Sequence, residues 1–491
     1  MPTNDAAALI GREIELKLEV SPADIEQLAT AASQVSGAVH ATMLTSVYFD
    51  TPDQMLYQAG VSLRVRHDGD RRIQTVKVDA SRGVGLFDRP ECEIEIEGDT
   101  PDLDDARSEL TARFGKKAMK RIVPVFRSDV TRTKMLAAID DAAIEFVIDQ
   151  GTVIADNVSA PICEIELELK SGALSALFAL ARRLGEAGAV RLGVLSKAER
   201  GYLLLAPPSD SSSKADPIML DSDMTAAAAF RTIAWSCLRQ YRLNETVLIA
   251  TGDADALHQA RVALRRLRSA LSLFKSVIED ESYDRLRSEL RWLSGVLGEA
   301  RNLDVLIELA RGIGGLDRLQ TERAGAYKLV GETLAAPRTR RLMLDLAEWL
   351  TLGIQDEAHT SPLVVDFATH RLEHLRKRLK KNGTHFAELS DEDRHRVRID
   401  AKKMRYATEF FKSLYPAKKS ARRHKRFRNA LETFQTILGD LNDQVTGRLV
   451  LERLGLSNLC PEAWSIPANR SRLIDQGAAT YGSLLEVERF W

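Results

Sequence analysis

Cysteine is scarce in this chain and scattered: Cys92, Cys163, Cys237 and Cys460 stand far apart in 491 residues. They make neither a metal-ligand spacing nor a disulfide framework, so a reducing compartment, the cytoplasm, is expected. Aromatic residues are also few, at 6%. The basic stretches therefore lack the interleaved rings on which nucleic-acid bases stack. No run approaches 18 uncharged apolar residues, which argues against a helical membrane span. The opening "MPTNDAAALIGRE" has no basic region followed by an apolar core, so no signal peptide is expected. A phosphate-cradling glycine loop is missing too, since "RFGKK" (113–117) has a single glycine before its lysine.

What is present belongs to a globular protein, with 44% hydrophobic and 28% charged residues and a length that calls for two or three domains. The formal net charge of −1 hides an asymmetry. Residues 1–220 carry roughly −9 and residues 221–491 roughly +8, an imbalance that points to separate partners for the two halves. An acidic half suits metal ions, and a basic half suits a polyanion.

Residues 10–170 read mainly as strands. "VSLRVRHDGDRRIQTVKV" (61–78) is two alternating runs about Asp68-Gly69-Asp70, a hairpin pattern. "ECEIEIEG" (91–98), "AIEFVIDQG" (143–151) and "ICEIELELKSG" (162–172) alternate as well, while 22–35, 103–120 and 174–188 have helical periodicity. So many antiparallel segments predict an α+β first half: a closed antiparallel β-barrel with helices packed outside. "APPSDSSSKADP" (206–217) reads as a linker. Beyond it the period changes from 2 to 3.6 and the chain becomes all helical. The expected organisation is a first domain over 8–206, a linker over 207–217 and a helical domain over 218–491.

The helical half repeats itself. "HQARVALRRLRSALSLFK" (258–275) lies over "HRVRIDAKKMRYATEFFK" (395–412) without a gap, and "LGEARNLD" (297–304) answers "LGDLNDQV" (438–445). A duplicated four-helix unit is the simplest account.

Side chains alternate across a strand, so Glu13, Glu15 and Lys17 share one face. Glu91, Glu93 and Glu95 share another, as do Glu164, Glu166 and Glu168. Arg64 with Arg66, Lys77, and Glu145 with Asp149 follow the same parity. A solvated sheet face usually mixes polar types, whereas most of these faces are of one sign, and like charges at i and i+2 repel unless an opposite charge lies between them. Turned inward around a polar tunnel, the carboxylates would chelate hard divalent cations and the cations would grip phosphate oxygens. A polyphosphate–metal complex presents both signs at once.

The pattern Glu13-x-Glu15-x-Lys17, with "YFDTPD" (48–53), "LRVR" (63–66), "CEIELELKSG" (163–172) and "SKAERGY" (196–202), resembles the CYTH superfamily of triphosphate tunnel metalloenzymes over about residues 10–205. With the helical module attached, the chain resembles the bacterial CYTH–CHAD inorganic triphosphatases. The resemblance implies hydrolysis of tripolyphosphate to pyrophosphate and phosphate with Mg²⁺ or Mn²⁺. It implies metal roles for Glu13, Glu15, Glu164, Glu166 and Glu168. It implies phosphate contacts for Lys17, Arg64, Arg66, Lys77, Arg132 and Lys197, and makes Asp149 and Glu93 candidate ligands or orienters of the attacking water. Arg127 and Arg132 have opposite parity, and Arg132 is favoured because it sits where the family keeps its arginine. Thiamine or nucleoside triphosphate hydrolysis, adenylyl cyclisation and a non-catalytic polyphosphate adaptor are the alternatives.

On a helix, His258, Arg261, Arg265 and Arg268 fall on one stripe, beside a core stripe of Ala260, Leu264, Leu267, Leu271 and Phe274. The second copy repeats it as His395, Arg398, Lys402 and Arg405, and Arg265-Arg266 meets Lys402-Lys403. Few acidic residues alternate with these cations, so their repulsion calls for an external anion. The pattern resembles the CHAD domain, a conserved-histidine helical module associated with polyphosphate, which implies a polyphosphate site at all ten of these positions. Nucleic acid is the competing polyanion and is not favoured, because no nucleic-acid-binding motif accompanies the stripes.

Overall fold

The computed structural model describes residues 11–33, 40–78, 83–103, 110–206, 212–309, 316–354, 361–457 and 467–491. Residues 8–10, the first half of the expected linker (207–211) and Cys460 lie outside that set, as do parts of the helical segments read at 22–35 and 103–120. The chain forms two compact units, Met1–Asp210 with Ala335–Glu348, and Ser211–Leu334 with Trp349–Trp491.

The first unit is built on nine strands: β1 (Gly11–Val20), β2 (His40–Asp50), β3 (Val61–Asp68), β4 (Arg71–Val78), β5 (Leu86–Ile96), β6 (Val123–Ile139), β7 (Ala142–Ala155), β8 (Val158–Ser171) and β9 (Val190–Leu192). Their order is β5-β4-β3-β2-β6-β7-β8-β1-β9, and a further β5–β1 pairing closes eight of them into an antiparallel barrel. The β3–β4 hairpin turns at Gly69, whose φ of +60° suits glycine. Among the described residues, six helices accompany the barrel: α1 (Ile25–Ser33), α2 (Met55–Gln58), α3 (Ala112–Phe114), α4 (Lys116–Met119), α5 (Ser175–Ala187) and α6 (Lys197–Leu205).

This barrel is polar inside and apolar outside. Leu16 and Leu18 of β1 are fully buried on the outer face, where the apolar side of α5 (Leu177, Phe178, Leu180, Leu184) is also buried. Across the barrel, Leu63, Val65 and Val76 pack with Leu56 of α2 and with Ala118 and Met119 of α4. Each such aliphatic contributes about 1.5–3 kcal/mol by leaving water. The interior is thereby released from core duty and filled with charge.

The second unit is helical: α7 (Ala226–Thr251), α8 (Ala254–Ile278), α9 (Tyr283–Leu309), α10 (Leu316–Ala335), α12 (Val364–Asn382), α13 (Asp391–Phe410), α14 (Lys418–Arg453) and α15 (Pro467–Glu486). The sequence repeat falls on α8 and α13, the second helix of each group of four. Between the groups stands α11 (Pro337–Glu348), which belongs to the first unit. Arg182 of α5 donates to Asp345 at 3.1 Å and pairs with Glu348, and Leu344 lines one small cavity with Ala181, Val190 and Leu192. Sequence reading places 335–348 inside the helical domain, because an apolar stripe shows that a helix is packed without showing against what.

Among the described residues, no helix is long and apolar enough to cross a membrane.

Candidate active site and a basic cluster

The barrel encloses a polar cavity of about 200 Å³ whose lining includes Glu13, Lys17, Arg64, Arg66, Lys77, Glu93, Arg132, Glu166, Glu168 and Lys197. Strand register explains the convergence. On β1, Glu13 stands opposite Arg89 of β5, and Glu15 and Lys17 stand opposite Glu168 and Glu166 of β8. On the strands leading away from β8, Arg132 of β6 faces Asp149 of β7, which faces Glu164 of β8 in turn. Arg64 stands opposite Thr75, and Thr75 opposite Glu93.

Lys17 is 2% exposed and donates to Glu164 at 3.0 Å and Glu166 at 2.8 Å. Burial opposes its charge, but these carboxylates outweigh burial and push its pKa up to about 12. A Cβ at position 193 would come within 2.6 Å of the Lys17 stem, so Gly193 makes room for it. Glu13 accepts from Lys77 at 2.7 Å and from Arg89 at 3.1 Å. Against the cost of burial, the two cations hold its pKa at about 2. Glu15 accepts from Arg89 at 2.9 Å, yet burial and Glu166 raise its pKa.

Lys197 reaches the cavity because of how α6 begins. Ser196 caps the helix and forms a capping box with Glu199, which puts Lys197 in the first turn. Gly201 lies against the Phe126 ring with no space for a Cβ, and the Tyr202 hydroxyl donates to buried Asp50 at 2.7 Å. Tyr202 also stacks on Tyr57. Anchored in this way, α6 delivers the Lys197 ammonium to Asp149 at 2.6 Å, Glu164 at 2.5 Å and Glu166 at 2.8 Å.

Asp149, Glu164 and Glu166 are buried and bring ligand oxygens within 4.8 Å of one another, close enough to share a metal ion. An all-carboxylate donor set suits a hard divalent cation. Glu164 Oε2 is buried and makes no hydrogen bond, its ion-pair partner Arg200 standing off at 3.8 Å, so this oxygen can still serve as a metal ligand. The residues present therefore fit such an ion. Of the two candidate water-orienting carboxylates, Asp149 is fully buried and committed to Arg132 and Lys197. Glu93 is 38% exposed on its side chain and is held by Arg66 at 3.2 Å and by the Thr75 hydroxyl at 2.9 Å.

Arg132 faces inward and donates to Asp149 and Glu166, whereas Arg127 is exposed on the outer face beside Asp129. Sequence reasoning missed Arg89. It shares the parity of Glu91, Glu93 and Glu95, and carrying the alternation two residues back through Pro90 finds it. Lys134 and Lys170, also at the cavity, pair with Glu145 at 3.2 Å and Glu168 at 2.6 Å.

In the second unit the basic stripes come together only in part. Arg261 and Arg265 of α8 and Arg398, Lys402 and Arg405 of α13 lie near enough to repel one another. Burial and then these arginines press the Lys402 pKa down to about 7, and burial with Arg265 and Arg301 takes Arg261 to about 10. Arg398 Nε and Arg405 Nε are buried without hydrogen-bond partners. His258 stands beside Arg301, and its repeat equivalent His395 contacts Asn442 at 3.2 Å. Arg301 and Asn442 are themselves equivalent in the aligned "LGEARNLD" and "LGDLNDQV", a signal that was open to sequence reading. Three predicted residues lie apart from this cluster. Arg266 is buried against Gln240 and Glu409, Arg268 stands beside Arg287 and Arg291, and Lys403 lies beside Arg378 and Asp400.

Residues 11–202 match the CYTH domain family, and residues 232–452 match the CHAD domain family. An inorganic triphosphatase of Haemophilus influenzae is 34% identical over 195 residues, which is 39% of this chain and 55% of that protein. The match thus spans about half the length of that relative. An uncharacterised protein of Mycobacterium tuberculosis is 27% identical over 448 residues, covering 82% of this chain and 81% of its own. The solved CHAD domain of the plant Ricinus communis is 32% identical, with a TM-score of 0.47 over 57% of this chain and 98% of that one.

Proposed function

We propose that this chain, which carries a CYTH domain followed by a CHAD domain, hydrolyses inorganic triphosphate to pyrophosphate and orthophosphate in its barrel and binds polyphosphate on its helical unit. The observation that carries the first part is the interleaving of buried carboxylates with lysines and arginines inside a closed barrel. A pure anion carrier would have no use for so many carboxylates.

Arg64, Arg66, Arg132, Lys17, Lys77 and Lys197 would hold the oxygens of a linear triphosphate and offset the charge spreading over the transferred group. Asp149, Glu164 and Glu166, with Glu13 and Glu15 opposite, would hold Mg²⁺ or Mn²⁺, which supplies positive charge to phosphate oxygens when bound. Glu93 would orient a water in line with the terminal phosphorus. The water oxygen would bond to that phosphorus and give up a proton to solvent, while the bridging P–O bond breaks and pyrophosphate leaves with the bond's electron pair. Phosphate release from tripolyphosphate with Mg²⁺ or Mn²⁺ tests this. Glu13→Ala should lower the rate at least about tenfold, and an unchanged rate would remove the metal assignment.

Polyphosphate binding is supported by the cluster of Arg261, Arg265, Arg398, Lys402 and Arg405, drawn from both repeats with its positive charges facing one another. Arg398→Ala should weaken filter binding of long-chain polyphosphate by the full-length protein, and the affinity should fall steeply with added salt. Equal retention of single-stranded RNA would count against the assignment.

A further inference from the structure

We propose that the barrel takes up a divalent cation and a triphosphate as a pair, each raising the affinity for the other at least about tenfold. The inference rests on the triphosphate reading of the cavity and goes beyond it to how the site fills.

The free cavity is already neutralised from within. Glu164 and Glu166 each accept from both Lys17 and Lys197, at 2.5 to 3.0 Å. Arg89 bridges the like charges of Glu13 and Glu15, at 3.1 and 2.9 Å. Asp149 is shared by Arg132 and Lys197, and Glu93 is held by Arg66. The carboxylates that would bind the metal are thus paired with cations that would bind phosphate. Lys17 and Lys197 are at most 8% exposed, and Asp149 and Glu164 are fully buried.

A metal ion held alone by Asp149, Glu164 and Glu166 would take every carboxylate that Lys17 and Lys197 pair with, leaving two buried ammonium groups without a paired counter-charge. A triphosphate held alone by Lys17, Lys197 and Arg132 would leave Asp149 and Glu166 unpaired and Glu164 with Arg200 alone, at 3.8 Å. Stranding one member of a buried pair is costly in either case. When both arrive, the carboxylates pair with the metal and the lysines and arginines pair with phosphate oxygens, so no buried charge is abandoned. Linkage makes the gain reciprocal: the factor by which triphosphate tightens metal binding equals the factor by which metal tightens triphosphate binding.

Equilibrium dialysis of the full-length protein tests this with Mn²⁺ as the metal and diimidotriphosphate, whose bridging nitrogens resist hydrolysis, as the anion. Free Mn²⁺ is fixed on the protein-free side, and Glu164→Gln identifies the fraction bound in the barrel. The expected result is a Mn²⁺ dissociation constant at least tenfold lower with saturating diimidotriphosphate. Mn²⁺ that fills the barrel equally well with and without the anion overturns the proposal. Phosphate release from tripolyphosphate is measured on the same preparation. Hydrolysis without coupling removes this inference alone, and coupling without hydrolysis removes the hydrolase reading alone.

Discussion

At position 402 the second repeat has a lysine where the first has Arg265, and the exchange makes this site sensitive to pH. Burial and then Arg398, Arg265, Arg405 and Arg261 bring the Lys402 pKa to about 7, whereas an unfolded lysine titrates near about 10.4. Between those values the unfolded chain binds more protons than the folded one, so ligand-free stability rises with pH across that window. The proposed polyphosphate binding would draw on the charged form, so affinity is expected to fall as pH climbs above 7. Titrations at pH 6, 7, 8 and 9 should show that trend, and Lys402→Met should flatten it. In the barrel, Lys17→Met removes the ammonium shared by Glu164 and Glu166 and should lower kcat/KM for tripolyphosphate by about 10²-fold or more. Much of the placement of the barrel's charged residues is legible in the sequence, because period-2 alternation assigns a face to each side chain. Arg89 is hidden because Pro90 breaks the alternating run, and the sequence leaves Arg266 indistinguishable from Arg265 because a doublet of arginines does not declare which member faces the core.

Helix α6 shows how an element converts local sequence into site geometry. "SKAERGY" contains a cap, a cavity lysine, the return half of the capping box, a glycine that admits a ring and a tyrosine that locks onto Asp50. Ser196→Ala should cost about 1 kcal/mol of stability. It should also raise KM for tripolyphosphate more than it lowers kcat, since Lys197 loses its fixed start. Gly201→Ala forces a methyl group into the Phe126 ring and should destabilise the barrel by about 1–3 kcal/mol in thermal or urea unfolding. The strands were read from alternation and the barrel from their number. The order in which they pair, and the closure of β5 onto β1, depend on contacts remote in sequence that no local pattern encodes. The helical stripes were likewise visible, but the docking of α8 on α13 decides which cations meet, so Arg268 and Lys403 end on other flanks.

On the scale of the whole molecule, the asymmetry of charge between the halves corresponds to two separate chemistries, an enclosed mixed-charge cavity and a cluster of cations. The two units are nevertheless not consecutive stretches of chain. After α10 the polypeptide makes α11 as part of the first unit, with Arg182 held by Asp345 and Glu348, and then resumes the second at Trp349. A truncated protein ending at residue 217 should therefore unfold at a lower temperature than the barrel of the full chain, because Arg182 loses Asp345 and Glu348 and the cavity beside Ala181, Val190 and Leu192 loses its Leu344 wall. The same excursion means that one covalent junction is not the sole tether between the halves. If a protease site is engineered at 207–211 and cut, the nicked halves should co-elute in gel filtration, since the larger fragment still carries a helix the smaller one needs. Arg182→Glu, which sets like charges against Asp345 and Glu348, should make the nicked protein come apart.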